Sequence, residues 1–248
     1  MRISENFEIE ESSVKAGYNA VVGYAWWVEY KRDGLNELLQ HVGIKGVALP
    51  FLGAVENHNT PRAADRAGGE KYSKYAFLLN CLLPRAIPFI HSGFELGETT
   101  PVNTGLDFSS SDLKRLNGKP LPLFDLAGFD WNRDTSVLPF TKRALEIYRE
   151  YSEVLRNPAR ESFVLLKSNH PDVFAFIRKN NTESLLYLLN RDWENVHDCQ
   201  ISLHRYLGED QKEIRNLLSG FYGDTKYSVK DRVFHCCLGA GEMLLLTW

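Results

Sequence analysis

Gly46-Val47-Ala48-Leu49-Pro50-Phe51-Leu52-Gly53-Ala54-Val55, continued by Glu56-Asn57-His58-Asn59-Thr60-Pro61-Arg62, is the stretch on which the reading of this chain turns. The first part is an apolar run of strand length and predicts a buried strand. The second part sets a histidine between two amides, next to a rigid proline turn and an arginine. Polar residues at the carboxyl end of a buried strand are where parallel barrels keep their chemistry. Pro61 stops the strand, and Gly68-Gly69 precede a new helix. The same pattern also fits a hydrogen-bonded strand-to-loop corner with a surface histidine, so the flanking segments have to decide.

Those segments alternate strand and helix, which predicts a parallel sheet. Ile3 to Phe7 reads as a first strand ending near Glu5, followed by an acidic helix that runs to Ala16. Asn19 to Trp26 reads as a second strand, followed by a helix from Asp33 to His41 with Asp33 as its N-cap. The quoted run is the third. Its helix, Glu70 to Leu83, carries Tyr72, Tyr75, Ala76, Leu79, Leu82 and Leu83 at helical spacing, as a buried face would. Ile87 to Gly93 is the fourth strand and brings His91 to its carboxyl end. A long loop from Glu95 to Asp134 contains Asn103, Asp107, Lys119, Asp125, Asp130 and Trp131, and a helix from Leu138 to Leu155 closes the series.

After Pro158 the alternation gives way to short strands alone: Ser162–Lys167, Val173–Arg178, Ser184–Asn190, Asp198–Leu203, Glu213–Leu218, Val229–His235 and Glu242–Thr247. Seven strands separated by turns such as Lys179-Asn180-Asn181 fit an antiparallel β-sandwich. Trp193 and Tyr206 are candidate sugar-stacking residues there, with core packing as the alternative.

Glu56-Asn57-His58-Asn59-Thr60-Pro61-Arg62 resembles the last motif of the alpha-amylase family, glycoside hydrolase family thirteen, Glu-Asn-His-Asp-Thr-Pro-Arg, at six of seven positions. The amino-terminal Ser4-Glu5-Asn6-Phe7 resembles the end of that family's fifth barrel strand. Pro88-Phe89-Ile90-His91-Ser92-Gly93 and the following Glu95-Leu96-Gly97 resemble the segment on its eighth strand. Pro101 to Asp107 is similar to a stretch found in one bacterial branch. The resemblance implies strands five to eight of a (β/α)8 barrel over residues 1–159, and a carboxyl-terminal β-sandwich domain over 160–248. It implies Glu5 as the general acid/base and His58 as a ligand of sugar hydroxyls. Asn59 stands where the family has the Asp that stabilises the transition state. An amide keeps shape and hydrogen bonding but carries no negative charge against a developing oxocarbenium ion. The family's nucleophile, an Asp in an Arg-x-Asp motif ending strand four, has no counterpart in this sequence.

A complete barrel needs about 250 residues by itself. The expectation is therefore that the chain is the carboxyl-terminal part of a longer enzyme, a split or truncated gene, with Met1 abutting a strand. A half barrel would expose the edges of its first and fourth strands, so self-association or a separately encoded amino-terminal half-barrel is an expected partner.

Composition excludes other classes. Lys plus Arg number 29 against 32 Asp plus Glu, which leaves no basic footprint for nucleic acid. No apolar run approaches a membrane span, and no secretory signal opens the chain, so a cytoplasmic location is expected. Cys81, Cys199, Cys236 and Cys237 lack metal-ligand spacing and read as free thiols of a reducing compartment; no metal or cofactor is expected. Aromatic residues cluster around the second strand, as Tyr18, Tyr24, Trp26, Trp27 and Tyr30, and rings of this kind stack on pyranose faces. Tyr24, Trp26, Asn57, His58, Arg62 and His91 are therefore the expected substrate-binding residues, and Glu5 and Asn59 the expected catalytic positions. The sequence leaves two functions open: part of a retaining glycosidase acting on alpha-glucosidic bonds, or a non-catalytic glucan-binding or interaction module.

Overall fold

The computed structural model describes residues 1–5, 10–22, 32–102, 108–115, 128–208, 213–222 and 225–248. Its elements are β1 (Ile3–Glu5), α1 (Glu10–Lys15), β2 (Ala20–Val22), α2 (Arg32–Leu38, passing into a π-helical turn Leu39–Lys45), β3 (Phe51–Gly53), α3 (Gly69–Leu82), β4 (Ala86–Pro88), α4 (Ser110–Arg115), α5 (Val137–Glu150) and α6 (Ser152–Leu155). These are followed by β5 (Phe163–Leu166), β6 (Val173–Lys179), β7 (Ser184–Asn190), β8 (His197–Ser202), β9 (Arg215–Asn216), β10 (Tyr227–Lys230), β11 (Val233–Leu238) and β12 (Met243–Thr247). The contacts divide the chain into two units: residues 1–29, 48–81 and 86–144, and residues 30–47, 82–85 and 145–248.

The first unit is built on a four-stranded sheet in the order β1-β2-β3-β4, parallel throughout. Ile3 pairs with Ala20, Val21 with Phe51, and Phe51 with Ala86, so strand order follows chain order, with α1 and α3 in the crossovers. The strands are shorter than the apolar runs that encode them. Pro50 and Pro88 have no N–H to donate to a ladder, and Phe51–Gly53 alone of the Gly46–Val55 run is paired. Helix α3 buries Tyr72, Tyr75, Ala76, Leu79 and Leu82 as their spacing predicts, but from Tyr75 to Leu82 it is buried all round, Phe77, Leu78, Asn80 and Cys81 included. It approaches β3 closely at Gly53, where a Cβ would lie 3.0 Å from the Asn80 side chain.

Thr135 caps α5, its hydroxyl oxygen accepting the Val137 N–H at 3.1 Å. Glu70, in the first turn of α3, accepts from the Thr135 hydroxyl at 3.0 Å, from the Ser136 N–H at 3.1 Å and from the Ser136 hydroxyl. Burial pushes the Glu70 carboxyl up, but those donors outweigh it and hold the group below its ordinary value.

The second unit carries two antiparallel sheets, β5-β6-β7-β12-β9 and β10-β11-β8. One apolar cluster draws on both, with Ala175, Ile177, Leu186, Leu188, Leu244 and Leu246 from the first and Cys199, Ile201, Phe234 and Leu238 from the second. Strands β8 and β11 alternate buried and more exposed residues, whereas β7 is buried at every residue after Ser184. The second face of the larger sheet is thus covered as well, and it carries Phe163, Phe176 and Tyr187 in a row with ring centroids 5.0 Å apart.

Three sequence expectations are corrected here. Val229–His235 is not one strand but the tip of a hairpin, because Asp231 and Arg232 both adopt positive φ (51° and 56°) and turn β10 into β11. Eight antiparallel strands stand where seven were expected among the described residues. A two-residue hairpin turn of this kind normally announces itself by Asn or Gly, and the Asp-Arg pair conceals it. The expected helix Leu138–Leu155 breaks at Tyr151 into α5 and α6, and α4 forms within the segment read as a loop. The distal parts of the first two expected strands, Asn6-Phe7 and 23–26, lie outside the described residues.

Arg178 organises the second unit. Period-two alternation turns it away from the shared cluster, onto the same face as Phe176. Fully buried, it donates Nη1 to the Leu82 carbonyl at 2.5 Å and Nη2 to those of Val154, Leu155 and Asn157, while Nε donates to Ser162. Leu82, Val154 and Leu155 lie at helix ends, where carbonyls lack the usual N–H four residues on, although the Val154 carbonyl also accepts the Asn157 N–H at 3.3 Å, and a cation there meets the negative end of the helix dipole. Burial pushes the guanidinium down to about 10, which leaves it charged at neutral pH. Replacing Arg178 by Met, which retains apolar bulk and removes every donor, is expected to cost about 3 kcal/mol or more in urea unfolding, and Arg178→Lys to recover little because one ammonium cannot span the carbonyls.

Candidate active site

Because the sheet is parallel, the carboxyl ends of its strands share one edge. Glu5 is the last residue of β1, Glu56–Arg62 follow β3, and His91-Ser92 follow β4, so the residues singled out in the sequence come to that edge from three of four strands. Glu5 and His58 are exposed, whereas Asn57, Asn59, Thr60 and Arg62 are buried.

The loop after β3 closes on its own side chains. Asn57 Oδ1 accepts the Asn59 N–H at 2.8 Å, and Thr60 Oγ1 accepts the Asn57 N–H at 3.0 Å. These bonds hold the backbone on either side of His58 while leaving its ring in the open.

Beneath the loop lies an ion pair between Glu56 and Arg62, each 1% exposed. Arg62 Nη1 donates to Glu56 Oε1 at 2.5 Å and to the Ser92 carbonyl at 2.9 Å, and Nε donates to the Thr100 carbonyl at 3.0 Å. Glu56 Oε2 accepts the Ala63 N–H at 2.6 Å. Nη1 also lies 2.8 Å from His91 Nδ1, which stands 3.5 Å from Glu56 Oε1. Nη1 has two hydrogens for three neighbours, so His91 Nδ1 either shares one of them or turns its own proton to Glu56 Oε1, according to the imidazole tautomer. The face of Phe129 covers the guanidinium at 5.7 Å.

This changes the role expected for Arg62. Its described contacts are internal, so it positions the loop and His91 rather than extending to a glycan. Glu56, which the sequence reading passed over, is the group that makes burial of that cation tolerable. Its signal was present as a carboxylate six residues before an arginine at the end of a buried strand. Tyr24, Trp26, Trp27, Tyr30, Asn103, Asp107, Lys119 and Asp125 lie outside the described residues. In the second unit Tyr206 packs partly against the apolar cluster.

The fold also gathers His170, Asp172 and His197, scattered in sequence, so that one donor atom of each falls within 4.8 Å of the others. The two imidazoles stack at 3.7 Å, with 20° between their planes. His170 Nδ1 accepts the Asp172 N–H, and His197 Nε2 pairs with Asp192. A metal sits in the plane of an imidazole that ligates it, and two nearly parallel planes do not meet at one ion, so this cluster is a stacked pair rather than a formed metal site. Cys199 and Cys236 are buried free thiols paired directly across β8 and β11.

No protein-family model and no curated protein sequence matches the chain. Solved structures do. An alpha-amylase from Anoxybacillus matches at 14% identity with a TM-score of 0.68, over 97% of this chain and 50% of its own. Trehalose-6-phosphate hydrolase from Bacillus licheniformis matches at 16% identity with a TM-score of 0.63, over 93% and 51%. An acarbose-soaked debranching enzyme from Nostoc punctiforme matches at 18% identity with a TM-score of 0.57, over 86% and 37%. The chain thus has a fold shared with alpha-amylase-family enzymes and spans about half the length, or less, of the structures it matches. No helix among the described residues is long and apolar enough to cross a membrane.

Glu56→Gln leaves Arg62 as a buried charge without its counter-ion and is expected to cost about 3–5 kcal/mol in thermal or urea unfolding. Arg62→Met in the same chain should recover part of that loss. Strict additivity of the two substitutions in a double-mutant cycle would show that the pair does not couple.

Proposed function

We propose that the chain is the carboxyl-terminal portion of an alpha-amylase-family glycosidase, comprising half of a (β/α)8 barrel and a β-sandwich, and that it takes part in cleaving or transferring alpha-glucosidic bonds of alpha-glucans or maltooligosaccharides with retention. The observation that carries this reading is the convergence of Glu5, the Glu56–Arg62 motif and His91 on one edge of a parallel sheet whose fold is shared with such enzymes. In this reading Glu5 is the acid/base that protonates the leaving oxygen and later activates water. His58, exposed and held from both sides, contacts sugar hydroxyls, and His91 presents its imidazole after the neighbouring strand. Asn59 occupies the position from which a carboxylate would stabilise the oxocarbenium-like transition state. The nucleophile comes from outside the 248 residues, which contain no Arg-x-Asp triplet. Tyr24 and Trp26 are assigned to the subsite wall.

Asn59 favours a second reading, a glucan-binding or interaction module of the same fold without turnover. Two measurements separate them. The 248-residue chain is expected to release no reducing sugar from maltoheptaose or starch, and turnover by it would overturn the assignment of the nucleophile elsewhere. In a protein that completes the barrel, Asn59→Asp is expected to raise the rate roughly a hundredfold or more if the site is a weakened catalyst, and to leave it at zero if the site only binds.

The same reading bears on assembly. β1 and β4 are the outer strands of the sheet, and Ile3 and Ile87 on them are exposed apolar residues. Open edges of this kind are pairing surfaces. Light scattering is expected to show self-association of the isolated chain, relieved by an amino-terminal half-barrel; a clean monomer would contradict it.

A further inference from the structure

We propose that Trp131 is a stacking platform for one glucose unit of a bound alpha-glucan, seated on the same buried ion pair that holds the β3 loop; this rests on the glucan reading above. Trp131 is 61% exposed, well beyond Phe89 at 38%, yet it is a held side chain. Its ring meets that of Phe129 at 85° with centroids 6.1 Å apart, a T-shaped contact. Phe129 in turn lies over the Arg62 guanidinium at 5.7 Å. Arg62 is fixed by Glu56, Ser92 and Thr100, and its Nη1 touches His91. A continuous line of contacts therefore runs from the motif loop and His91 out to an exposed indole.

The seat of that line is built into the backbone. Gly93, five residues beyond β4, has φ +90°, and a Cβ there would stand 2.8 Å from the Phe129 ring. Any other residue would push Phe129 off Arg62. On the far side, Asp130 shapes a turn with Trp131 inside it: its carboxylate accepts the Asn132 N–H at 3.0 Å and its carbonyl accepts the Arg133 N–H at 3.1 Å.

The surroundings indicate the kind of occupant. A large ring left in water gains about 25 cal/mol for each Å² it covers on binding. Docking of a protein would call for a contiguous apolar patch, whereas the neighbours of Trp131 along the chain, Asp130, Asn132 and Arg133, are polar and exposed. One ring bordered by donors and acceptors suits a pyranose, which presents a C–H face to the ring and hydroxyls at its edge.

The test is calorimetric titration of maltoheptaose into the 248-residue chain and into its Trp131→Ala, Trp131→Phe and His58→Ala variants, each checked for an unchanged melting curve. Trp131→Ala is expected to bind roughly threefold to tenfold more weakly, with Trp131→Phe keeping most of the affinity. If His58→Ala weakens binding but Trp131→Ala binds as the parent chain does, the platform is overturned while the glucan reading stands. If the parent chain takes up no heat from millimolar maltoheptaose, the glucan reading itself fails and the platform with it.

Discussion

The arrangement of the candidate site depends on one buried charge pair. Glu56 and Arg62 are each 1% exposed, and taking both out of water is costly unless nearly every polar atom finds a partner. The chain recruits the Ala63 N–H to the carboxylate and the Ser92 and Thr100 carbonyls to the guanidinium, while Arg62 Nη2 stays buried without a hydrogen-bond partner among the described residues. Those partners lie on either side of the segment after β4, so satisfying the charge also fixes that segment against the β3 loop. The position of His91 follows from this network as well as from the strand before it, whereas His58 is held by the Asn57 and Thr60 side chains.

A similar device serves the second unit, with a different acceptor chemistry. Arg178 has carbonyl partners, several of them helix-terminal, where Arg62 has a carboxylate. Neutral acceptors leave the cation's burial less well offset, which is why its guanidinium is pushed down in acidity range to about 10. Each unit is thus centred on an arginine that has left the surface. In both cases the sequence position is unremarkable to a hydropathy reading, because an arginine after a strand or within one looks like a solvated residue.

That observation marks the line between what could be read from the sequence and what could not. Parallel order, the α3 face and most antiparallel strands were legible because they rest on local periodicity: apolar runs, helical spacing and turn residues. The β10–β11 hairpin was not, since its turn uses Asp231 and Arg232 where the pattern leads one to expect Asn or Gly. Asn57, His58, Asn59 and His91 were legible as a group from their order after apolar runs. Burial of Arg62, and with it the importance of Glu56, required partners 30 and 38 residues away in sequence, at Ser92 and Thr100. The gathering of His170, Asp172 and His197 is likewise a product of strand pairing that no spacing rule reports.

The ion pair also bears on what Asn59 means. Retaining glycoside chemistry needs negative charge close to a sugar ring that becomes positive, and an amide at position 59 removes one such charge. Glu56, three residues away, is the one carboxylate within the motif itself. It is unable to take that charge's place: one oxygen is committed to Arg62 at 2.5 Å, the other to the Ala63 N–H at 2.6 Å, and the adjacent guanidinium cancels its field. The missing charge is therefore not restored from within the loop, although everything that shapes the loop is intact. Recognition of a neutral glucan asks only for amides, imidazoles and aromatic faces. Stabilisation of a developing positive charge asks for negative charge, which the Asn59 amide does not carry.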